Sequence, residues 1–223
     1  MATKQDLNRE DVRQNILRIY ENFYWIHLWI IDVLARWTLK RQDTDGKLNL
    51  VQQSWEERNQ MEAFKQEILD LGYHWDDLDH ESYMFDAMRN RYNNFMTTDD
   101  ELEVLIGMNL FSEGVFGYTE LEQLHKHSPE LFPRFPEFCE EEAEHAEGGR
   151  QALMAILERQ PELREHAATL VEKYRKALLD TASDPNFSAF LMGLIQQGLL
   201  GKDVVERAME RFGKVFGELT VAA

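Results

Sequence analysis

Apolar residues recur along this chain at three- and four-residue intervals over nearly its whole length, and no stretch alternates as a half-buried strand does. That period leaves one architecture, helices that each bury a stripe against their neighbours. The prolines agree with it. Pro129, Pro133, Pro136 and Pro161 fall where the periodicity breaks, and Asp184-Pro185 marks another turn. The pattern predicts long helices over about Glu10–Lys40, Leu50–Leu71, Asp100–His125 and Pro136–Arg159. Shorter helices are expected over about Glu81–Phe95, Leu163–Asp180, Asn186–Leu199 and Lys202–Leu219. Gln42 to Gly46 reads as a turn, and Tyr73 to His80 as an irregular link rich in Asp and aromatics. At 223 residues the chain is long enough for a substantial core. It is expected to be a single all-α domain over residues 1–223, with a core bundle over about 10–160 and carboxy-terminal helices over about 163–219.

Charge narrows the partners. The chain carries 41 acidic and 24 basic residues, a formal charge of −17. Such a surface repels phosphate backbones and anionic lipid, so neither nucleic acid nor membrane is expected. The most apolar run, Phe23 to Ala35, is too short to span a bilayer and contains Asp32. Cys139 is the one cysteine, so no intrachain disulfide can form, which suits a reducing compartment. Met1 to Arg13 is polar and lacks a signal-peptide core. A cytoplasmic protein is the expectation.

Chemistry enters where acids interrupt apolar rows, because a buried carboxylate is costly unless paired, protonated or metal-bound. On the third long helix the row reads Leu102, Ile106, Asn109, Glu113, Phe116, Leu124. On the fourth it reads Phe138, Glu142, His145, Gly149, Ala152, Ile156, which places a carboxylate and an imidazole three residues apart on one face. On the first helix Asp32 sits in an all-apolar stretch and is expected to be buried. On the second, Glu57 lies on the row Leu50, Ser54, Glu57, Met61, Phe64, Ile68, with Gln60 one turn further on.

Each residue also has a plainer explanation. Glu142 stands in an acidic run of the kind that is usually solvated, Asp32 could pair with Arg36 four residues on, and Glu57 could pair with Arg58 or Lys65. Gln60 could be a polar filler. His27, about 140° from Asp32 on the helix wheel, reads as a buried histidine bonded to a neighbour, or as a nitrogen ligand if the helix is rotated. Cys139 reads as a small core residue. Gly107, Gly114, Gly117, Gly148 and Gly149 suggest close helix contact or room for a ligand.

A Glu on one helix and Glu-x-x-His on the next, Glu113 with Glu142 and His145, resembles half of the site in the ferritin-like superfamily of carboxylate-bridged dimetal proteins. The spacing of this pair is similar to that in the oxygenase branch. The resemblance covers roughly the first two-thirds of the chain as topology. Asp32 and Gln60 depart from the family's Glu and His, and a carboxamide oxygen is a weaker ligand than imidazole. The resemblance implies a ferritin-like four-helix bundle with additional helices. It implies a non-haem oxygenase or oxidase that uses iron, with two ions or one, or manganese, to activate O₂ and oxidise a small hydrophobic molecule. Its ligands would be Asp32, Glu57, Gln60, Glu113, Glu142 and His145, with Glu113, Glu142 and His145 closest to the chemistry. An external electron donor and a homodimer fit the same picture. A ferritin-like binding or assembly protein with a degenerate site is the alternative, with metal storage as a third. A haem-oxygenase-like dimetal oxidase using Glu162 and His166 is a further rival.

Overall fold

The computed structural model describes residues 2–78 and 86–221, and all regular structure among them is helical. Contacts group the chain into two compact units. One is Gln5–Thr97; the other is Thr98–Ala223 together with Met1–Lys4.

The amino-terminal unit is built on two long helices. The first, α1 (Glu10–Lys40), runs for 31 residues without a Gly or Pro. It carries acids in its first turn and Lys40 in its last, as the helix dipole favours. The second, α2 (Thr44–Asp70), starts inside the cluster that was expected to be a turn. Asp43 caps it, its carboxylate accepting from the Gly46 N–H at 2.7 Å. Beyond α2, Gly72 takes φ +88°, the left-handed conformation that glycine reaches without strain. Aromatic side chains join the pair: Phe64 of α2 lies 5.2 Å from Phe23 and 6.2 Å from Tyr20, between ring centres. A third helix, α3 (Asp86–Thr97), rests on α1 through Trp29 and Tyr92. Arg36 donates to the last carbonyls there, Phe95 O at 3.2 Å and Thr97 O at 3.3 Å. His80 and the start of the helix expected at Glu81 lie outside the described residues. All five tryptophans, Trp25, Trp29, Trp37, Trp55 and Trp75, belong to this unit.

In the carboxy-terminal unit the expected third long helix is not uniform. It begins as α4 (Glu101–Val104), capped by Asp100, then becomes a π-helix over Leu105–Gly117, and returns to α-helix as α5 (Tyr118–His127). The wider turn is visible in the bonding. The Tyr118 N–H reaches Glu113 O and the Ser112 hydroxyl donates to Gly107 O, each five residues back. Every side chain from Ile106 to Val115 is buried. Around the π segment pack α6 (Phe135–Arg159), α7 (Arg164–Ser183) and α9 (Val204–Val221), while α8 (Pro185–Gln196) lies on α7. Phe111 centres this core, 5.1 Å from Tyr174 and 6.4 Å from Phe212. No helix among the described residues is long and apolar enough to cross a membrane.

Candidate metal centre

Among the described residues five acids are buried: Glu21, Glu57, Glu103, Glu113 and Glu142. What satisfies each decides which of them can serve a ligand. Glu103 is neutralised locally, because Lys173 reaches its Oε1 at 2.7 Å and the Tyr174 hydroxyl donates to the same oxygen. It is a structural ion pair.

Glu113 and Glu142 lie on two helices that pack together. Glu113 sits on the π segment and is 2% exposed; Glu142 and His145 lie three residues apart on α6, at 2% and 7%. On α6 the row expected from the sequence is buried except for half-buried Ala152, whereas on the π segment every residue from Ile106 to Val115 is buried, so Glu113 is buried together with its neighbours. Asn109, one turn before Glu113, donates its amide to Glu113 Oε2 at 3.3 Å. His145 Nδ1 stands 3.6 Å from that same oxygen. This separation is long for a hydrogen bond. It suits two donors on one ion, which at bond lengths of about 2.1 Å stand about 3.0–3.6 Å apart. Glu113 and His145 are thus donors of a kind and spacing that suit a divalent first-row metal, and Glu142 is buried one turn before His145 on the same helix.

Glycines set this spacing. A Cβ on Gly114 would stand 2.7 Å from that of Ala146, and one on Gly149 only 2.5 Å from Cβ of Asn109. The π segment and α6 therefore pack too closely for a side chain at either glycine, beside Glu113 and one turn beyond His145. Gly117 works otherwise: a Cβ there would lie 4.0 Å from the Glu142 carboxylate, so the glycine leaves that side uncrowded. Gly148 faces open space. One turn before Glu142, the Cys139 thiol donates to Tyr118 O at 3.8 Å. Burial first, then the nearby Glu142, pushes its pKa up to about 12, so it stays a thiol at neutral pH.

In the amino-terminal unit, Glu57 is fully buried on α2, and its Oε2 lies 2.5 Å from His27 Nδ1 on α1. His27 is 2% exposed and stacks on Phe64 at 5.1 Å. The reading of His27 as a buried histidine bonded to a neighbour is the observed one. The alternative partners of Glu57 are engaged elsewhere, Arg58 over the Trp55 ring and Lys65 over that of Trp75. Gln60 is fully buried one turn beyond Glu57. Asp32 corrects the expectation of burial, because it is exposed. The buried acid of α1 is Glu21, eleven residues earlier. Eleven residues are three helical turns to within about 20°, so both acids share a face, and only their position along the axis separates them.

Two further histidines are engaged elsewhere. His166 bonds Asp100 at 2.6 Å, so the Glu162 and His166 pairing has no support, and His125 bonds Phe132 O at 2.9 Å. One further acid stands out on α5. Glu120 is half-buried beside Phe116, Leu178, Phe187, Leu200 and Val204, and burial raises its pKa to about 7. No known protein family, curated protein or solved structure matches this chain.

Proposed function

We propose that the protein is a non-haem metal-dependent oxidoreductase that uses O₂ to oxidise a small organic molecule, with electrons from an external donor. The observation that carries this reading is the buried set Glu113, Glu142 and His145, with the Glu113 and His145 donor atoms at ligand spacing. Iron is the proposed metal, with manganese the alternative. Such an ion supplies Lewis acidity and, for iron, redox chemistry with O₂. The chain's own part is to hold the donors. Asn109 orients the Glu113 carboxylate, the Gly114–Ala146 and Gly149–Asn109 contacts fix the distance between the helices, and the apolar surroundings exclude water. A second ion would draw on Glu57, with Gln60 as a weak neighbour. Asp32 is the least suited of the expected ligands.

One observation favours the rival, a non-catalytic binding or assembly protein of the same ferritin-like kind. His27 already satisfies Glu57 at 2.5 Å, as a structural ion pair would. Elemental analysis of protein grown with iron or manganese separates the readings. About one ion per chain is expected if only the Glu113 set loads, and about two if Glu57 takes part. A folded protein holding no iron or manganese sinks the oxidoreductase reading and leaves the binding-module rival standing.

A further inference from the structure

On α9, Arg207, Arg211 and Lys214 fall at i, i+4 and i+7 and so share a face. With Lys126 of α5 they line a cleft of about 720 Å³, a size typical of small-molecule sites. Four cations gathered in one hollow of a chain with net charge −17 invite an explanation.

Arg207 has a local one, bonding Asp203 at 3.0 Å and Glu210 at 2.9 Å. Arg211 does not. Its Nε donates to Gly114 O at 2.9 Å, and its guanidinium lies 3.8 Å over the Tyr118 ring. Those are its interactions among the described residues: a carbonyl and a ring, neither of them an acid. The terminal Nη groups donate to none of the described groups. The side chain is half-buried and braced on two sides, so the rotamer entropy that an arginine usually loses on binding is already spent. A planar fork held in this way matches a carboxylate in bidentate geometry. Lys126 and Lys214 likewise have no ion pair among the described residues and add positive charge nearby. Glu122, Glu140 and Glu210 line the same cleft and disfavour a multiply charged ligand, while Tyr118, Pro136 and Ala143 offer surface for an organic body.

We infer that this cleft binds a small organic monoanion, its carboxylate gripped by the Arg211 fork and its charge supported by Lys126 and Lys214. The inference goes beyond the proposed metal chemistry and requires no bound metal, so either can fail while the other stands.

Calorimetric titration of the full chain, with and without chelator, tests it with benzoate, its neutral isostere benzamide, and inorganic phosphate. Benzoate should bind saturably, at least about tenfold more tightly than benzamide, and should weaken as salt screens the charges. Arg211→Lys keeps the charge but loses the fork and should weaken benzoate about tenfold; Arg211→Met should abolish binding. Lys214→Glu, at an exposed position, should weaken binding several-fold whether or not the Arg211 variants fold. Benzamide binding as tightly as benzoate overturns the inference. So does a Lys214→Glu chain of unchanged affinity, or no saturable binding of benzoate. Phosphate binding more tightly than benzoate replaces it with an inorganic anion site.

Discussion

The two units each bury a carboxylate against an imidazole, yet at different distances. His27 and Glu57 stand 2.5 Å apart between two regular α-helices, whereas His145 and Glu113 stand 3.6 Å apart between an α-helix and a π-helix. The first is a closed hydrogen bond. The second leaves the separation that two ligands of one ion require, and it occurs where the backbone departs from α geometry. π-helical turns recur at functional sites because the wider turn re-aims side chains that a regular helix would stack. Similar residues thus serve packing in one unit and are proposed to serve chemistry in the other.

The largest test of this contrast is His27→Ala. It removes the imidazole from a fully buried carboxylate and should cost about 3 kcal/mol of stability, read by chemical denaturation followed by circular dichroism. Metal binding at Glu113, Glu142 and His145 should survive it. The complementary change, His145→Ala, should weaken iron or manganese binding by more than about 100-fold, since even groups behind a ligand are worth 10–100-fold. Its effect on metal-free stability should be smaller than that of His27→Ala. Equal destabilisation by both, with no change in metal affinity, would erase the distinction drawn here.

Glycine substitutions sharpen it further. Gly149→Ala would drive a methyl group into Asn109 and should cost about 1–3 kcal/mol. Gly148→Ala, its neighbour on the same helix, meets nothing within 4 Å and should stabilise by about 0.5–1 kcal/mol through helix propensity.

The smallest expected effect is one of pH. The folded chain holds the Glu120 proton more tightly than the unfolded chain does, with a pKa of about 7 against an ordinary 4.5. Stability should therefore fall as pH rises from about 4.5 to about 7, and level off above. Glu120→Gln should flatten that slope and raise stability at pH 8 by about 1 kcal/mol, less than full burial would imply because the side chain keeps partial solvent contact.

Much of this was legible in the residues. The 3.6-residue period located the helices, α1 to its ends, because long amphipathic rows and proline breaks leave few alternatives. The row Glu113, Glu142, His145 was legible for the same reason, as polar groups out of place on apolar faces. The start of α2 was missed because Asp43 to Gly46 has the composition of a turn, and a capped first turn looks the same in sequence. The π segment carries no periodic signature, since Ile106 to Val115 are buried all round and leave no polar face to mark the turn. Asp32 departs from the expectation because apolar sequence neighbours do not by themselves bury a residue: Val33 and Leu34 turn inward while Asp32 and Ala35 face out. Glu21, on the otherwise apolar row Leu17, Glu21, Trp25, Leu28, carries the same signal as Glu57 and Glu113.

The confinement of every tryptophan to the Gln5–Thr97 unit has a practical consequence. Intrinsic indole emission originates in this unit alone, whereas backbone ellipticity sums over the helices of both. An emission melt that coincides with one followed by backbone ellipticity would mean that both units unfold as one cooperative block. Two separated midpoints would mean that each holds its own stability, and the lag between them would measure the carboxy-terminal unit alone.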